Sequence, residues 1–175
     1  MCKCNNIYKY SESGLNHECG VLGIYGVPDA ANLAYYGLHA LQHRGQQGCG
    51  IVSVDSQGEF HRFKGDGLVT EVFNEDKISK LQGSMAIGHV RYSNAKCKGT
   101  ENIQPFLFHH NSGDFAMANN GQIANYVQLR NELEDRGSLF QSSSDAEVIA
   151  HLIKKQGTDK TLPRINSIKA ALNMV

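Results

Sequence analysis

The sequence has no excess of charge of either sign. Its 17 Lys and Arg balance 17 Asp and Glu, so nothing electrostatic points to nucleic acid or an anionic membrane as a partner. It also lacks a long apolar run, since no stretch approaches the roughly 18 residues that a membrane helix needs. The opening MCKCNNIYKYSESGLNH lacks the apolar centre of a secretory signal, which makes the cytoplasm the expected compartment. There is no internal repeat and no low-complexity tract. The five cysteines, Cys2, Cys4, Cys19, Cys49 and Cys97, are odd in number and irregularly spaced, which excludes a disulfide framework. Cys2-Lys3-Cys4 has no second Cys or His pair at metal spacing. The adjacent rings of His109 and His110 would point apart on a strand. No metal site is expected.

What is present suffices for one globular domain. The 175 residues are 41% hydrophobic and 19% charged, enough for a real core. Residues 1–18 are polar and aperiodic and read as a leader. Gly20 to Tyr25 reads as a strand, followed by turn chemistry at Gly26-Val27-Pro28-Asp29. Asn32 to Gln42 reads as a helix with Ala34, Leu38 and Leu41 on one face. Gly50–Val54 and Glu59–Phe63 flank a hairpin turn at Asp55-Ser56-Gln57-Gly58. Two short helical pieces follow, over Gly67–Phe73 and Glu75–Leu81. Met85 to Tyr92 is a strand with a charged, aromatic tip. Pro105–Phe108 and Phe115–Ala118 are short strands around a turn at residues 111–114. A helix is expected over Ala124–Arg136, ended by Gly137. Ser144-Asp145-Ala146-Glu147 reads as a capping box opening a helix that carries Val148, Ile149, Leu152 and Ile153 and stops at Gly157. Leu162-Pro163 opens a last helix with Ile165, Ile168 and Leu172 on its apolar face. Val175 falls inside that pattern with no cap, which predicts a C-terminally incomplete domain. Consecutive strands without intervening helices favour antiparallel sheets and an α+β fold.

Four polar features carry possible chemistry. Cys19 leads an apolar strand, where a cysteine is by itself most often a small core hydrophobe. As a nucleophile it would need a base, and no histidine neighbours it except His17 in the leader. Cleavage between Glu18 and Cys19 would supply one, because an α-amine has a pKa of about 7.7–8.0, close to the working pH. Arg91 at a strand tip could hold a carboxylate through two parallel hydrogen bonds, or serve as a surface ion-pair partner. Asn120-Gly121 could offer a side-chain amide and a backbone N–H to an oxyanion, or be a plain turn. Asp145 suits a helix N-terminus and could equally bind a substrate ammonium.

In their order, Glu18-Cys19-Gly20-Val21, Leu41-Gln42-His43-Arg44-Gly45-Gln46, Gly88-His89-Val90-Arg91-Tyr92, Gln104-Pro105, Asn120-Gly121 and Ser143-Ser144-Asp145 resemble the glutaminase domain of the amidophosphoribosyltransferases. The resemblance covers residues 18 to 157. It implies a four-layer αββα N-terminal-nucleophile hydrolase fold of the class II glutamine amidotransferases. It implies a propeptide at residues 1–18 and a partial glutaminase domain at 19–175. It implies that Cys19 forms a glutamyl thioester with its own amine as base, and that Asn120 and Gly121 N–H make the oxyanion hole. Arg91 would bind the α-carboxylate of L-glutamine and Asp145 its α-amine. Arg44 is placed with these substrate-binding residues, beside the nucleophile, and the loop from Tyr92 onward becomes a lid. The ammonia would serve purine biosynthesis, making 5-phosphoribosylamine from phosphoribosyl pyrophosphate (PRPP) on a transferase domain absent from the sequence.

That missing part would use magnesium with PRPP, carry in some members a 4Fe–4S cluster, and assemble as a homo-oligomer. No cofactor is expected in this segment. Two departures stand out. Ser93-Asn94-Ala95-Lys96 stands where the family usually has a threonine followed by Ala-Gly, so the lid is expected to close differently or to use the Asn94 amide. Asn119 stands where histidine is usual. The glutaminase domain of a glucosamine-6-phosphate synthase is a near alternative, disfavoured by the leader and by the Gln42–Gln46 loop. A non-catalytic, unprocessed fragment is the alternative from another class.

Overall fold

The computed structural model describes residues 19–92, 100–111, 113–156 and 164–175. The leader at 1–18, residues 93–99 of the expected lid loop after Tyr92, the stop at Gly157 and the opening at Leu162-Pro163 lie outside the described residues. Two compact units divide between Asn120 and Gly121.

The first unit is built on a four-stranded antiparallel sheet in the order β1-β4-β2-β3, where β1 is Gly20–Tyr25, β2 Gly48–Val54, β3 Phe60–Asp66 and β4 Met85–Arg91. β2 is flanked on both edges and is buried along nearly its whole length, which suits its Gly-Cys-Gly-Ile-Val-Ser-Val run of small and branched residues. β1 alternates instead, with Leu22 and Ile24 turned to the core and Val21 and Tyr25 exposed. Helix α1, Ala30–Ala40, lays Ala30, Ala31, Ala34 and Leu38 on one face of this sheet. Fully burying a side chain such as Leu38 contributes roughly 1.5–3 kcal/mol. The helix starts two residues earlier than the sequence pattern predicts, because Asp29 takes a left-handed conformation (φ 54) and turns the chain directly into Ala30. A 3-10 turn at Gln42–Arg44 follows. Short helices α2, Val69–Val72, and α3, Glu75–Ser79, close the same core with Val69, Val72 and Phe73. A two-stranded antiparallel hairpin, β5 Phe106–Phe108 with β6 Phe115–Met117, completes the unit.

The second unit holds α4 Tyr126–Asp135, α5 Ala146–Gln156 and α6 Arg164–Leu172. Leu129 and Leu133 of α4 pack with Val148 and Leu152 of α5 and Ala171 of α6, as the helical spacing predicts for α4 and α5. Gly137 (φ 85) ends α4 in a Schellman pair: its N–H donates to Glu134 O and that of Ser138 to Leu133 O, both at 2.9 Å.

Two sequence expectations are corrected here. Helix α6 buries Ser167 and Ala171, keeps Ile168 partly buried and leaves Ile165 and Leu172 half exposed. The Ser144–Glu147 capping box does not form. The Ser144 N–H donates to Ser142 Oγ at 3.2 Å, and the Glu147 carboxylate is taken by Gln141 and Ser142 upstream.

The α+β architecture with antiparallel sheets agrees with the expected fold class. No helix among the described residues is long and apolar enough to cross a membrane.

Candidate active site

Cys19 sits one residue before β1, half-buried. Strand pairing sets its place. Gly20 is opposite Val90, so the chain end at Cys19 runs beside the tip of β4. There Cys19 Sγ receives the Tyr92 N–H at 3.3 Å and donates to Tyr92 O at 3.5 Å. Arg44 donates Nε–H to the Cys19 carbonyl at 3.3 Å. The thiol and the backbone behind it are thus held from two sides, by the β4 tip and by the 3-10 turn.

That turn is itself locked. The Gln42 side chain donates to Gly45 O at 2.5 Å and accepts the Val69 N–H at 2.6 Å. Gly45 lies flat on the Arg91 main chain, where a Cβ would stand 2.7 Å from Arg91 C and 2.8 Å from its oxygen. Only glycine allows that approach. The Arg91 carbonyl accepts the Gln47 N–H at 3.1 Å. Arg91 ends β4, opposite Gly48. No carboxylate among the described residues forms an ion pair with its guanidinium, so the surface ion-pair alternative finds no partner there.

Asn120 is exposed and follows directly on Asn119, whose N–H donates to Gln104 Oε1 at 2.6 Å. The Gln104–Pro105 peptide is cis. Lys64 ties this segment to the sheet by donating to Ile103 O at 2.8 Å. Burial, with Arg62 nearby, draws the Lys64 ammonium down to about 8. Gly121 and Asp145 belong to the second unit. Asp145, directly before α5, accepts the Ile123 N–H on Oδ2 at 2.9 Å. The first unit therefore brings Cys19, Arg44 and Arg91 together. In the second, a single hydrogen bond links Asp145 to the loop two residues beyond Gly121.

Two residues of interest escaped the sequence reading. His89, fully buried on β4 two residues from Arg91, has no hydrogen-bond partner of ordinary geometry for either ring nitrogen among the described residues. The Asn119 backbone nevertheless comes near enough to favour its protonated form. Burial and the Arg91 charge outweigh this and hold His89 down at about 4. A base with a depressed pKa binds protons in the unfolded chain first. Stability should therefore fall as pH drops from 6.5 to about 4, by about 3 kcal/mol for this group. Thermal melts between pH 7 and 5 check this, and His89→Gln should flatten the slope. An equal slope in the variant would remove His89 as its source. The other is Glu147, whose local spacing suggests only a cap. Cys49, by contrast, is a core residue whose thiol burial and Glu71 push up to about 12, far from a usable nucleophile. No cluster of three His, Cys, Asp or Glu among the described residues could hold a metal ion.

Comparison with known proteins adds a family match, two relatives and two solved structures. A family model described as a glutamine amidotransferase domain matches residues 75–172. The amidophosphoribosyltransferase of Bacillus subtilis is 54% identical over 145 residues, covering 82% of this chain and 30% of that one. The amidophosphoribosyltransferase of Lacticaseibacillus casei is 48% identical over 167 residues, covering 95% of this chain and 84% of that sequence. Among solved structures, the glutamine PRPP amidotransferase of B. subtilis complexed with ADP and GMP superposes with a TM-score of 0.79 at 48% identity, over 88% of this chain and 32% of that one. A second, described as the allosteric regulatory enzyme of purine biosynthesis, gives 0.81 at 49% identity with the same coverage. The chain spans about 30% of the length of the B. subtilis relative.

Proposed function

Since the chain belongs to the amidophosphoribosyltransferase family of glutamine amidotransferases, we propose that it is the part that releases ammonia from L-glutamine. The observation that carries the reading is the clasp on Cys19. Its sulfur is held by the Tyr92 main chain, its carbonyl by Arg44, and Arg91 stands next to Tyr92.

Removal of residues 1–18 frees the Cys19 α-amine. The amine takes the thiol proton as sulfur attacks the glutamine side-chain carbonyl. The carbonyl oxygen becomes an oxyanion, received by the Asn120 amide and the Gly121 N–H. The amine returns its proton to the departing nitrogen, the C–N bond breaks, and ammonia leaves a glutamyl thioester. Water, deprotonated by the same amine, cleaves the thioester to glutamate and restores the thiol. Arg91 holds the α-carboxylate and Asp145 the α-ammonium. Arg44 steadies the nucleophile's backbone and so sits at the rear of the substrate site.

In the longer relatives the ammonia meets PRPP to give 5-phosphoribosylamine for purine synthesis. Magnesium and any 4Fe–4S cluster belong with that transferase portion, and no step here passes through either. The whole protein would be a cytoplasmic homo-oligomer.

Intact mass and N-terminal sequencing, paired with glutamate release from glutamine, test this reading. A start at Cys19 with glutamate formed is the expected result. A start at Met1 or Cys2, with no glutamate even after cleavage to expose Cys19, would make the chain a non-catalytic fragment.

A further inference from the structure

Within the second unit, Glu147 is the most tightly held carboxylate among the described residues. It is 2% exposed, although it lies on the first turn of α5, where a glutamate normally faces water. One oxygen accepts the Gln141 N–H at 2.9 Å. The other accepts the Ser142 N–H at 2.8 Å and the Ser142 hydroxyl at 2.6 Å. His151, one turn along the helix, lies 3.7 Å from the first oxygen. Burying a carboxylate is costly unless it is matched by donors, and here three are supplied by two consecutive residues.

Those two residues lead straight to Asp145. The Ser142 hydroxyl oxygen also accepts the Ser144 N–H at 3.2 Å. The Ser142 and Ser143 carbonyls accept from Arg130 at 2.9 Å and from the Tyr126 hydroxyl at 3.2 Å. Asp145 stands at the end of this braced segment with Oδ2 engaged by Ile123, which leaves Oδ1 to meet a ligand ammonium. A merely helix-capping glutamate would bond at its own helix end. Glu147 instead reaches back five and six residues to hold the approach.

We infer that Glu147 is a positioning residue for Asp145: by clamping Gln141 and Ser142 it fixes where the Asp145 carboxylate meets the α-ammonium of glutamine. The inference rests on the glutaminase reading and adds to it a determinant of specificity for substrates that carry an α-amine.

The test uses the chain matured at Cys19 and two covalent probes of that thiol. One is a diazoketone analogue of glutamine, the other the same diazoketone lacking the α-amine. The parent should be labelled faster by the first. In Glu147→Gln, whose amide cannot accept all three donors, that preference should fall by at least about tenfold, the scale of a hydrogen bond to a charged group. Labelling by the des-amino probe should stay within a few-fold of the parent. Ser142→Ala, which removes one donor and leaves the carboxylate, should shift the preference in the same direction by less, and it serves where Glu147→Gln folds poorly. A preference in the parent that persists unchanged in both variants, or an equal loss of labelling by both probes, overturns the inference alone. Equal labelling of the parent by the two probes overturns the role of Asp145 in the reading beneath it as well.

Discussion

Replacing Cys19 by serine is expected to lower glutamine hydrolysis by at least about a thousandfold while leaving the fold in place. The reason lies in what surrounds the sulfur. Its geometry is set by the main chain, the Tyr92 N–H at 3.3 Å and the Tyr92 oxygen at 3.5 Å, and a hydroxyl can keep both contacts. The Arg44 bond goes to the residue 19 carbonyl, which serine retains. Position is thus conserved and only the nucleophile changes, from a thiol to a hydroxyl that ionises far less readily and attacks an amide poorly at neutral pH. Among the described residues no second thiol can take over: Cys49 is fully buried in the sheet core and its thiol is held up at about 12. Glutamate release and glutamine affinity should be measured on the same preparation. Lost turnover with preserved affinity supports the thioester route, and substantial hydrolysis in the variant would place the attacking group elsewhere.

The parts of this arrangement that rest on backbone periodicity were legible in the sequence. β1 follows from alternation and the α4 and α5 helices from helical spacing, because burial against a single sheet face or helix partner imposes those periods, while β2 is marked by its continuous run of small and branched residues beside a turn. The α6 face was misread because Ser167 and Ala171 are the buried residues there, and small or polar side chains carry no apolar signal. The capping box was misread because its glutamate has better partners five and six residues upstream than at its own helix end. The burial of His89 left no signal, although the residue falls in the Gly88-His89-Val90-Arg91-Tyr92 motif, since a buried imidazole on a strand has the same sequence signature as a surface one. Long-range registers of this kind bring Cys19 to Tyr92, 73 residues apart, and they are where local reasoning stops. The resemblance to a family, not periodicity, tied those distant motifs together.

Arg91→Ala is expected to raise KM for glutamine on the order of a hundredfold while kcat stays within a few-fold, as when a charge-assisted bidentate pair made equally in ground and transition states is lost. The main chain at this position is fixed without the side chain. Strand pairing to Gly48, the Gln47 N–H on the carbonyl, and Gly45 packed on the peptide all involve backbone atoms. Truncation should therefore remove the cation and leave the Cys19 clasp standing. The same substitution has a second readout. After burial, the Arg91 charge does most to lower the His89 pKa, and it acts more weakly on Lys64. Without it, His89 should titrate above about 4, because burial alone remains to oppose protonation. The acid-side loss of stability should still begin near 6.5 but end at a higher pH, and so be smaller in total. The His89 ring signals followed by NMR would show the rise directly. A raised KM together with a raised His89 pKa fits a cation that both binds the α-carboxylate and acts on His89. A raised pKa with unchanged KM would leave Arg91 as a structural neighbour of His89 and require another residue for the α-carboxylate.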